Sequence, residues 1–407
     1  MMSTWNEVTM SIEVATQAPI ALTEHHIKVL LVDDQRIVGE TVRRMLVEVE
    51  GLEFRFCSDP TIALREADAF GPTVILQDLV MPGVDGIDMV RSFRANPSTS
   101  SVPLIVLSSK EEPVIKAEAF AAGANDYLVK LPDKLEIVAR IRYHSNAYIL
   151  RLERDEAFAA MQAQQQVIAR ELAEAAAYVR SLLPAPMAAD TPVPSDWRFI
   201  TSSSLGGDSF GYHWLKPDEL AIYLLDVCGH GVGAALLSVS AINTIRNQTL
   251  PGTDFAIPSQ VLEGLNLAFP MEKQDGKYFT IWYGVFNART RELRFSAAGH
   301  PPALAVGPDG KVNKLGCPGM IIGAFPNGRY NDSSVTLDAG STLFVYSDGC
   351  YEVTNVDEAM MSLAQFGDIL VGCANQPAQL DTVVDAVQQW QQKPDFEDDF
   401  SLVMLRV

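Results

Sequence analysis

Carboxylates follow two short apolar runs near the start of the chain. Asp33 and Asp34 come directly after the run 29–32, and Asp78 closes the run that begins at 74. In an open parallel sheet, the carboxyl ends of neighbouring strands meet at one edge, so the three acids should converge there. Three carboxylates held together need a cation, and Mg²⁺ prefers oxygen ligands and also binds phosphate oxygens. The pattern predicts magnesium-assisted phosphoryl chemistry at this edge.

Two more polar residues end strand-like runs of the same region. Ser108 closes the run 104–107, and Lys130 closes the run 127–129. They would place a hydroxyl and an ammonium beside a phosphoryl group on Asp78. Amphipathic stretches with helical spacing alternate with the apolar runs. This alternation predicts a parallel sheet with helices on both faces.

Residues 27–145 resemble the response-regulator receiver family in the segments LLVDDQ, ILQDLVMPGVDG, IVLSSKEE and GANDYLVKLP. The resemblance implies that Asp78 is the phosphoacceptor, that Asp33, Asp34 and Asp78 bind Mg²⁺, that Ser108 and Lys130 contact the phosphoryl group, and that Tyr127 is the rotating aromatic residue. It also implies a sensor histidine kinase as partner. Leu131 departs from the family, which usually has Lys-Pro directly, so the peptide geometry after the lysine is in question.

A second set of acids lies in the C-terminal half, in Gly-Gly-Asp-Ser-Phe (206–210), Asp-Val-Cys-Gly-His-Gly (226–231), Ser-Asp-Gly (347–349) and Glu-Asp-Asp-Phe-Ser (397–401). Carboxylates at strand ends can converge on metal ions, and adjacent glycines let the backbone approach closely. Oxygen ligands alone favour Mg²⁺ or Mn²⁺ over zinc. Two such ions ~3.5–4 Å apart could activate a shared water for direct hydrolysis of a phosphate ester.

The motif at 206–210 is superficially close to the Gly-Gly-Asp-Glu-Phe signature of diguanylate cyclases. The receiver segment also resembles Wsp-type receivers, which control such cyclases. We reject a cyclase output because Ser209 replaces the glutamate that the signature needs. The motif also begins its domain instead of lying on a hairpin deep within it, and three further acidic motifs follow.

Residues 181–407 resemble the PPM metal-dependent protein phosphatases in their SpoIIE/RsbU branch, as do the segments Arg-Ser-Leu-Leu-Pro (180–184) and Ala-Gly-His-Pro-Pro (298–302). The resemblance implies two Mn²⁺ or Mg²⁺ ions held by Asp226 as the bridging ligand, the Val227 backbone carbonyl, Asp208, Asp348 and Asp398, with Asp399 as a supporting neighbour. It implies a serine/threonine phosphatase whose substrate is a phosphoserine on a small anti-sigma-factor antagonist. Gly211 departs from the family, where many members carry a second acid, and this leaves a weakened or differently tuned metal site open.

Other polar residues of this half have two interpretations each. His230 is a candidate proton donor to the leaving serine oxygen, or it has a structural role between two glycines. Asn266 could contact bound phosphate, although a helix-surface position is the stronger interpretation. His300 is interpreted as structural. Cys228 and Cys350 are interpreted as small packing residues because no basic partner accompanies them.

The segment 146–183 carries a heptad seam, which predicts a coiled coil. Its members are Phe158, Met161, Gln165, Ile168, Leu172, Ala175, Val179 and Leu182. An exposed seam would bury its apolar side chains in a homodimer. The alternative is a long helix that packs on its own domains. Pro184 and Pro186 should end the helix.

After the linker, strand-like runs at 197–200, 220–227, 279–286, 293–297, 343–346 and 402–405 alternate with helical segments near 231–248, 258–269 and 378–392. We therefore predict an α/β chain with a doubly wound five-stranded parallel receiver, a long helical coiled-coil linker, and an α+β two-sheet sandwich flanked by helices. The predicted domains are a flexible tail (1–26), the receiver (27–145), the linker (146–183) and the phosphatase (184–407).

Composition narrows the partners. The 407 residues include 31 Lys and Arg against 51 Asp and Glu, a formal net charge of −20. Nucleic acid and anionic membranes are poor partners for such an acidic chain, because binding to either depends on basic side chains that neutralise phosphates. The five cysteines include no C-x-x-C pair, and no apolar stretch approaches the ~20 residues of a membrane span. We expect a cytoplasmic protein.

A rival function is a non-catalytic adaptor in which a degenerate phosphatase fold binds a partner when the receiver is phosphorylated. The full set of acidic motifs argues against this rival. Clustered carboxylates repel one another without metal, so a degenerate fold has no reason to keep them.

Overall fold

The computed structural model describes residues 25–109, 112–373 and 379–407. Most of the predicted N-terminal tail, and Lys110 and Glu111 of the receiver motif IVLSSKEE, lie outside these ranges. The chain forms two compact units, one ending at Val167 and the other running from Ile168 to Val407. Of the helices in the described ranges, none combines the length and the hydrophobicity needed to cross a bilayer.

The first unit alternates strands and helices. In chain order its elements are β1 (Ile27–Val32), α1 (Arg36–Leu46), β2 (Leu52–Cys57), α2 (Ala63–Phe70), β3 (Val74–Asp78), β4 (Val80–Met81), β5 (Val84–Asp85), α3 (Gly86–Ala95), β6 (Leu104–Ser108), α4 (Pro113–Ala122), β7 (Asp126–Val129) and α5 (Lys134–Ser181). Five of the strands form one parallel sheet in the order β2-β1-β3-β6-β7, and β4 and β5 form a small antiparallel pair.

Both faces of this sheet are covered, which explains why its central strands are almost wholly apolar. Leu30 and Ile75 belong to the core on one face, with α2 and α3, while Leu31 and Leu76 belong to the core on the other face, with α1 and the start of α5. Neighbouring strand residues therefore point to opposite sides. The predicted doubly wound receiver fold is confirmed.

Helix α5 is one continuous helix from Lys134 to Ser181 and passes through the predicted boundary between receiver and linker. Its buried residues are Ile137, Ile141, Ser145 and Ile149, spaced four residues apart, so the first turns pack against the receiver core. Every residue from 161 to 171 is exposed. The long helical linker is confirmed as a helix.

The second unit contains β8 (Ser195–Ile200), β9 (Ser209–Lys216), β10 (Glu219–Val227), α6 (Val232–Arg246), α7 (Pro258–Ala268), β11 (Phe279–Asn287), β12 (Glu292–Ala298), β13 (Ala303–Val306), β14 (Val312–Leu315), β15 (Ser333–Thr336), β16 (Thr342–Tyr346), α8 (Leu363–Cys373), α9 (Gln379–Gln391) and β17 (Phe400–Arg406). The strands form two antiparallel sheets, in the orders β15-β12-β11-β10-β9 and β14-β13-β16-β17-β8.

Three hydrophobic cores stack these elements into four layers. One core joins the first sheet to α6 and α7, a second fills the space between the two sheets, and a third joins the second sheet to α8 and α9. Strand residues alternate between cores: Tyr223 faces the helices and Leu224 faces the other sheet. The predicted two-sheet sandwich flanked by helices is confirmed.

Candidate functional site

The receiver acids meet at the carboxyl edge of the parallel sheet. Asp33 and Asp34 follow β1, Asp78 ends β3, and an oxygen from each of the three lies within 4.8 Å of the others. The Lys130 ammonium is 2.6 Å from Asp78 Oδ2 and 3.0 Å from Asp33 Oδ2. Burial raises the pKa of Asp33. Burial alone would lower the pKa of Lys130, but its bonds to Asp78 and Asp33 raise it.

The remaining receiver residues lie where the sequence placed them. Ser108 ends β6 and is buried, one strand away from Asp78, whose register partner is Leu107. Tyr127 is buried in β7 with the Lys116 ammonium 5.7 Å from its ring. Leu131, the departure from the family, has a φ of 54°. A residue with a Cβ seldom adopts this conformation, so the chain turns unusually just after the lysine.

The C-terminal acids also gather at one edge, for a topological reason. Asp226 lies near the end of β10 and Asp208 just before β9, which pairs with β10 in antiparallel fashion. Asp348 follows β16 and Asp398 precedes β17, which are another antiparallel pair. The end of one strand and the start of its antiparallel neighbour share an edge. Two acids from each sheet therefore meet at the same end of the sandwich.

An open cavity of about 390 Å³ lies at this end. Asp226, Val227, Asp348 and Asp398 line it, together with His230. Burial, followed by the charges of Asp348 and Asp398, raises the pKa of Asp226 to about 7. Burial and then Asp398 raise the pKa of Asp348 to about 6. The sandwich thus holds these carboxylates close enough to disfavour their simultaneous ionisation.

Asp208 lies behind the cavity wall instead of lining it. Its side chain is buried, and its Oδ2 has no hydrogen-bond partner among the described residues. Burial, with the charges of Asp226 and Asp399, raises its pKa well above the usual value. An unpaired buried carboxylate oxygen is costly unless a cation satisfies it. The unpaired oxygen of Asp208 is therefore available to a cation.

Asp399 supports the loop that carries Asp208. Its Oδ1 accepts the Ser202 N–H at 2.9 Å, and its Oδ2 accepts the Gly207 N–H at 2.8 Å. A Cβ at Gly206 would lie 2.1 Å from Asp399 Oδ2, and one at Gly207 would lie 2.5 Å from the Val227 carbonyl oxygen. Only glycine fits at either position. These contacts support the predicted role of Asp399 as a neighbour and explain the glycine pair.

Gly211 lies on the side of β9 that faces the helices, away from the metal cavity. A Cβ there would lie 2.5 Å from the Tyr223 ring, which belongs to the core beneath α6 and α7. Asp208 and Phe210 are on the opposite side of this strand, because alternate residues share a face. The absence of an acid at position 211 therefore removes no side chain from the cavity.

The histidines differ in environment. His230 is exposed at the cavity, directly before the glycine that precedes α6. His300 is buried, its Nδ1 lies 3.0 Å from the Pro301 carbonyl oxygen, and burial lowers its pKa to about 4. A neutral, enclosed imidazole supports the structural interpretation of His300. His230 is placed where a proton donor could reach a leaving group.

Asn266 and the two cysteines serve the scaffold. Asn266 is buried, its Oδ1 accepts the Gly323 N–H at 2.8 Å and its Nδ2 donates to the Phe325 carbonyl at 2.7 Å, so the predicted helix-surface position is wrong. The Cys228 Sγ accepts the Tyr278 N–H at 3.3 Å. Burial raises the pKa of Cys350 well above the usual value for a thiol. Cys350 therefore lacks the environment of a thiolate.

Sequence reasoning gave no role to four residues that line the cavity, namely Ser202, Tyr278, Thr280 and Glu397. Glu397 adjoins a predicted ligand and is itself the first residue of the motif at 397–401. Thr280 is the register partner of Asp226 on β11, so only the strand pairing could have identified it.

The described geometry agrees with comparisons to known proteins. Residues 216–407 match the family model of stage II sporulation protein E (SpoIIE), and residues 29–142 match that of the response regulator receiver domain. The phosphoserine phosphatase RsbP of Bacillus subtilis is 28% identical over 186 residues, which are 46% of this chain and 46% of RsbP. The sensory transduction protein RegX3 of Mycobacterium bovis is 34% identical over 114 residues, 28% of this chain and 48% of RegX3. The chain spans about half the length of these relatives.

Among solved structures, the SiaA-PP2C domain of Pseudomonas aeruginosa matches with a TM-score of 0.52 and 22% identity, over 60% of this chain and 99% of that domain. At this identity the match shows the fold, a PP2C-type sandwich. The family matches and the acids at the edge of each fold agree. Residues 29–142 are a response regulator receiver domain, and residues 216–407 are a SpoIIE-type phosphatase domain of the PPM class.

Proposed function

We propose that this chain is a two-component response regulator whose output is metal-dependent hydrolysis of phosphoserine on a partner protein, under control of phosphorylation at Asp78. The carrying observation is the convergence of Asp226, Asp348 and Asp398 on one cavity, with Asp208 buried behind it. Each of the two chemistries has its own edge of carboxylates, and both edges belong to the same chain.

The cavity residues fit two Mn²⁺ or Mg²⁺ ions. The unpartnered Oδ2 of Asp208 and the raised pKa values of Asp226 and Asp348 are what a metal-free carboxylate site shows. The donors are all oxygens, which suits these ions better than zinc. Asp226 would hold both ions, the Val227 carbonyl would be a further ligand, and Asp208, Asp348 and Asp398 would complete the two sets.

When bound, the ions would supply Lewis-acid polarisation of the phosphoryl group and a lowered pKa for an attacking water. The side chains of the site would hold the two ions in place. Asp399 fixes the loop of Asp208 through the Gly207 N–H. His230, exposed at the cavity mouth, would donate a proton to the serine oxygen as the P–O bond breaks. No thiolate or hydroxyl nucleophile of the protein is required.

In the receiver, Asp33, Asp34 and Asp78 would bind Mg²⁺, and Asp78 would accept the phosphoryl group of a sensor histidine kinase. Lys130 already contacts Asp78 Oδ2 at 2.6 Å and would move its bond to a phosphoryl oxygen. Ser108, buried at the end of the next strand, would contact the same group. Tyr127 would then change its rotamer and report the modification at the surface of the domain.

Similarity supports the choice of substrate. RsbP, which this chain matches over 186 residues, bears the name phosphoserine phosphatase. Together with the SpoIIE family match, this supports a phosphoserine on an anti-sigma-factor antagonist as substrate. The acidic cavity lies at the edge of the sandwich and is open, so a phosphorylated loop of a folded protein could enter it. The open form of this cavity favours a protein substrate over a small metabolite.

We also propose that the protein is a homodimer in which α5 pairs with α5 of a second copy. Phe158, Met161 and Ile168 are 55%, 52% and 49% exposed on this helix. Their spacing places them on one stripe. Burial of such side chains contributes roughly 25 cal/mol per Å². A second copy would cover this stripe along its length.

The test is hydrolysis of a phosphoserine protein by the full-length chain with Mn²⁺, comparing wild type with Asp226→Ala. We expect the variant to lose about 10²- to 10³-fold in rate, as losing one preorganised electrostatic group costs about 3–4 kcal/mol. Cys228→Ser is the matched control, because it alters the adjacent loop without removing a ligand. The adaptor alternative expects no hydrolysis by wild type with any divalent metal, and partner binding that survives Asp226→Ala.

A further inference from the structure

One lysine of the described residues lies next to the acidic cavity. Lys277 precedes β11, and its side chain rests on the first turn of α6: a Cβ at Gly233 would be 3.1 Å from Lys277 Cε and 3.4 Å from Lys277 Nζ. The next residue, Tyr278, lines the cavity. The Lys277 side chain is half-buried. Its ammonium is therefore held close to the segment that carries His230.

The backbone around Lys277 is fixed to the metal-site loop. The Cys228 N–H donates to the Tyr278 carbonyl at 3.0 Å, and the Tyr278 N–H donates to Cys228 Sγ at 3.3 Å. The Lys277 N–H donates to the Gln274 carbonyl at 2.9 Å. Because Cys228 follows Val227, the position of Lys277 is tied to that of the predicted metal ligands.

Lys277 has no directly paired carboxylate among the described residues. No carboxylate of the described residues forms an ion pair with its ammonium within 4.0 Å. Partial burial of an ammonium costs free energy unless a partner restores its interactions. The charged groups that line the adjacent cavity are the acids Asp226, Asp348, Glu397 and Asp398. An external anion at the rim would satisfy this lysine.

We propose that Lys277 determines substrate specificity by pairing with a carboxylate side chain near the phosphoserine of the substrate protein. This rests on the proposed phosphatase function. Thr280, the register partner of Asp226, lies three residues further along the chain. Extended backbone rises ~3.3 Å per residue, so the Lys277 backbone lies at most roughly 10 Å from Thr280, which lines the cavity. That distance suits a substrate residue about three positions from the phosphoserine.

The test uses the full-length protein with Mn²⁺ and phosphoserine peptides that carry one Asp or one Lys, moved through about four positions on each side of the phosphoserine. The readout is the ratio of kcat/KM for the Asp peptide to that for the Lys peptide. A partly desolvated ion pair predicts a ratio of about 5–10 for wild type at the best position. The ratio should fall to about 1 in Lys277→Gln and invert in Lys277→Glu, because the rim charge is then reversed.

Lys273→Gln is the control, since Lys273 is an exposed lysine of the preceding turn and should leave the wild-type ratio unchanged. Hydrolysis of p-nitrophenyl phosphate by wild type separates the two proposals. If wild type hydrolyses this small ester but its peptide ratio equals that of Lys277→Gln at every position, Lys277 has no such role and the phosphatase function stands. If wild type hydrolyses neither the ester nor any peptide, the proposed function fails and this inference fails with it.

Discussion

In the phosphatase domain, burial and the charges of neighbouring carboxylates together raise the pKa of Asp226 to about 7. Since a metal ion binds the carboxylate form, binding must displace the protons that these acids hold. With Asp348 near 6 and the pKa of Asp208 also raised, we expect release of at least roughly one proton on Mn²⁺ binding at about pH 6.5, and of fewer protons at about pH 8.5. Calorimetry in buffers of different ionisation enthalpy measures this release.

Asp226→Asn supplies the comparison for proton release, because the amide has nearly the same size but does not titrate. The variant should bind Mn²⁺ more weakly and release fewer protons at about pH 6.5. A binding enthalpy of wild type that is the same in all buffers at that pH would show that the acids are already ionised, contrary to the raised pKa values.

Single residues were predictable where a motif fixed them to a strand end. Asp226, Asp348 and Asp398 could be identified because each adjoins an apolar, strand-like run, and the structure brings them to one cavity. The burial of Asp208 behind the wall depends on the packing of two sheets, which no local pattern records. Asn266 was misplaced because its partners, Gly323 and Phe325, are distant in sequence.

At the scale of elements, α5 leaves an apolar stripe uncovered, and this leads to a prediction about association. Ile168→Glu with Leu172→Glu should convert a dimer into monomers, because two buried apolar contacts per helix would become four facing carboxylates in the pair. Sedimentation equilibrium or light scattering at micromolar concentration gives the mass.

The matched control for the seam is Ala163→Glu with Gln166→Glu. It adds the same charge to the same exposed segment but lies outside the seam. This control should remain dimeric. A wild-type mass equal to one chain, with or without beryllofluoride, would refute pairing through α5.

Elements were predictable to the extent that they carried periodicity. The runs 220–227 and 279–286 became the paired central strands β10 and β11, and the segment 258–269 became α7. Helix α8 was missed although its buried residues Phe366, Leu370 and Cys373 follow helical spacing, because the helix is rich in apolar residues outside that stripe as well. The pair β4 and β5 was missed because two-residue strands carry no pattern.

At the scale of the whole molecule, the receiver should be modified at a single residue. Acetyl phosphate or beryllofluoride should label Asp78 alone, because only this carboxylate ends β3 beside Asp33, Asp34 and the Lys130 ammonium. Intact-protein mass spectrometry should show one adduct on wild type and none on Asp78→Asn. Stoichiometric labelling of Asp78→Asn would show that the phosphoacceptor is another residue.

The presence of two domains with different functions was predictable, because each half of the chain carries several motifs in the expected order. The receiver motifs and the phosphatase motifs define two folds that the structure and the family matches confirm. The predicted boundaries at 145 and 183 remain predictions, since α5 runs unbroken from Lys134 to Ser181. Whether phosphorylation activates or inhibits is a property of two populations of the molecule, which one sequence does not encode as a local pattern.

The most direct test of the account is the rate of phosphoserine-protein hydrolysis by the full-length protein with Mn²⁺ and Mg²⁺, with and without beryllofluoride. If the receiver controls the phosphatase, the rate of wild type should change by about threefold or more in one direction, which corresponds to a coupling of roughly 0.7 kcal/mol or more. Asp78→Asn should keep one rate under both conditions. Equal rates for fully modified and unmodified wild type would contradict the account.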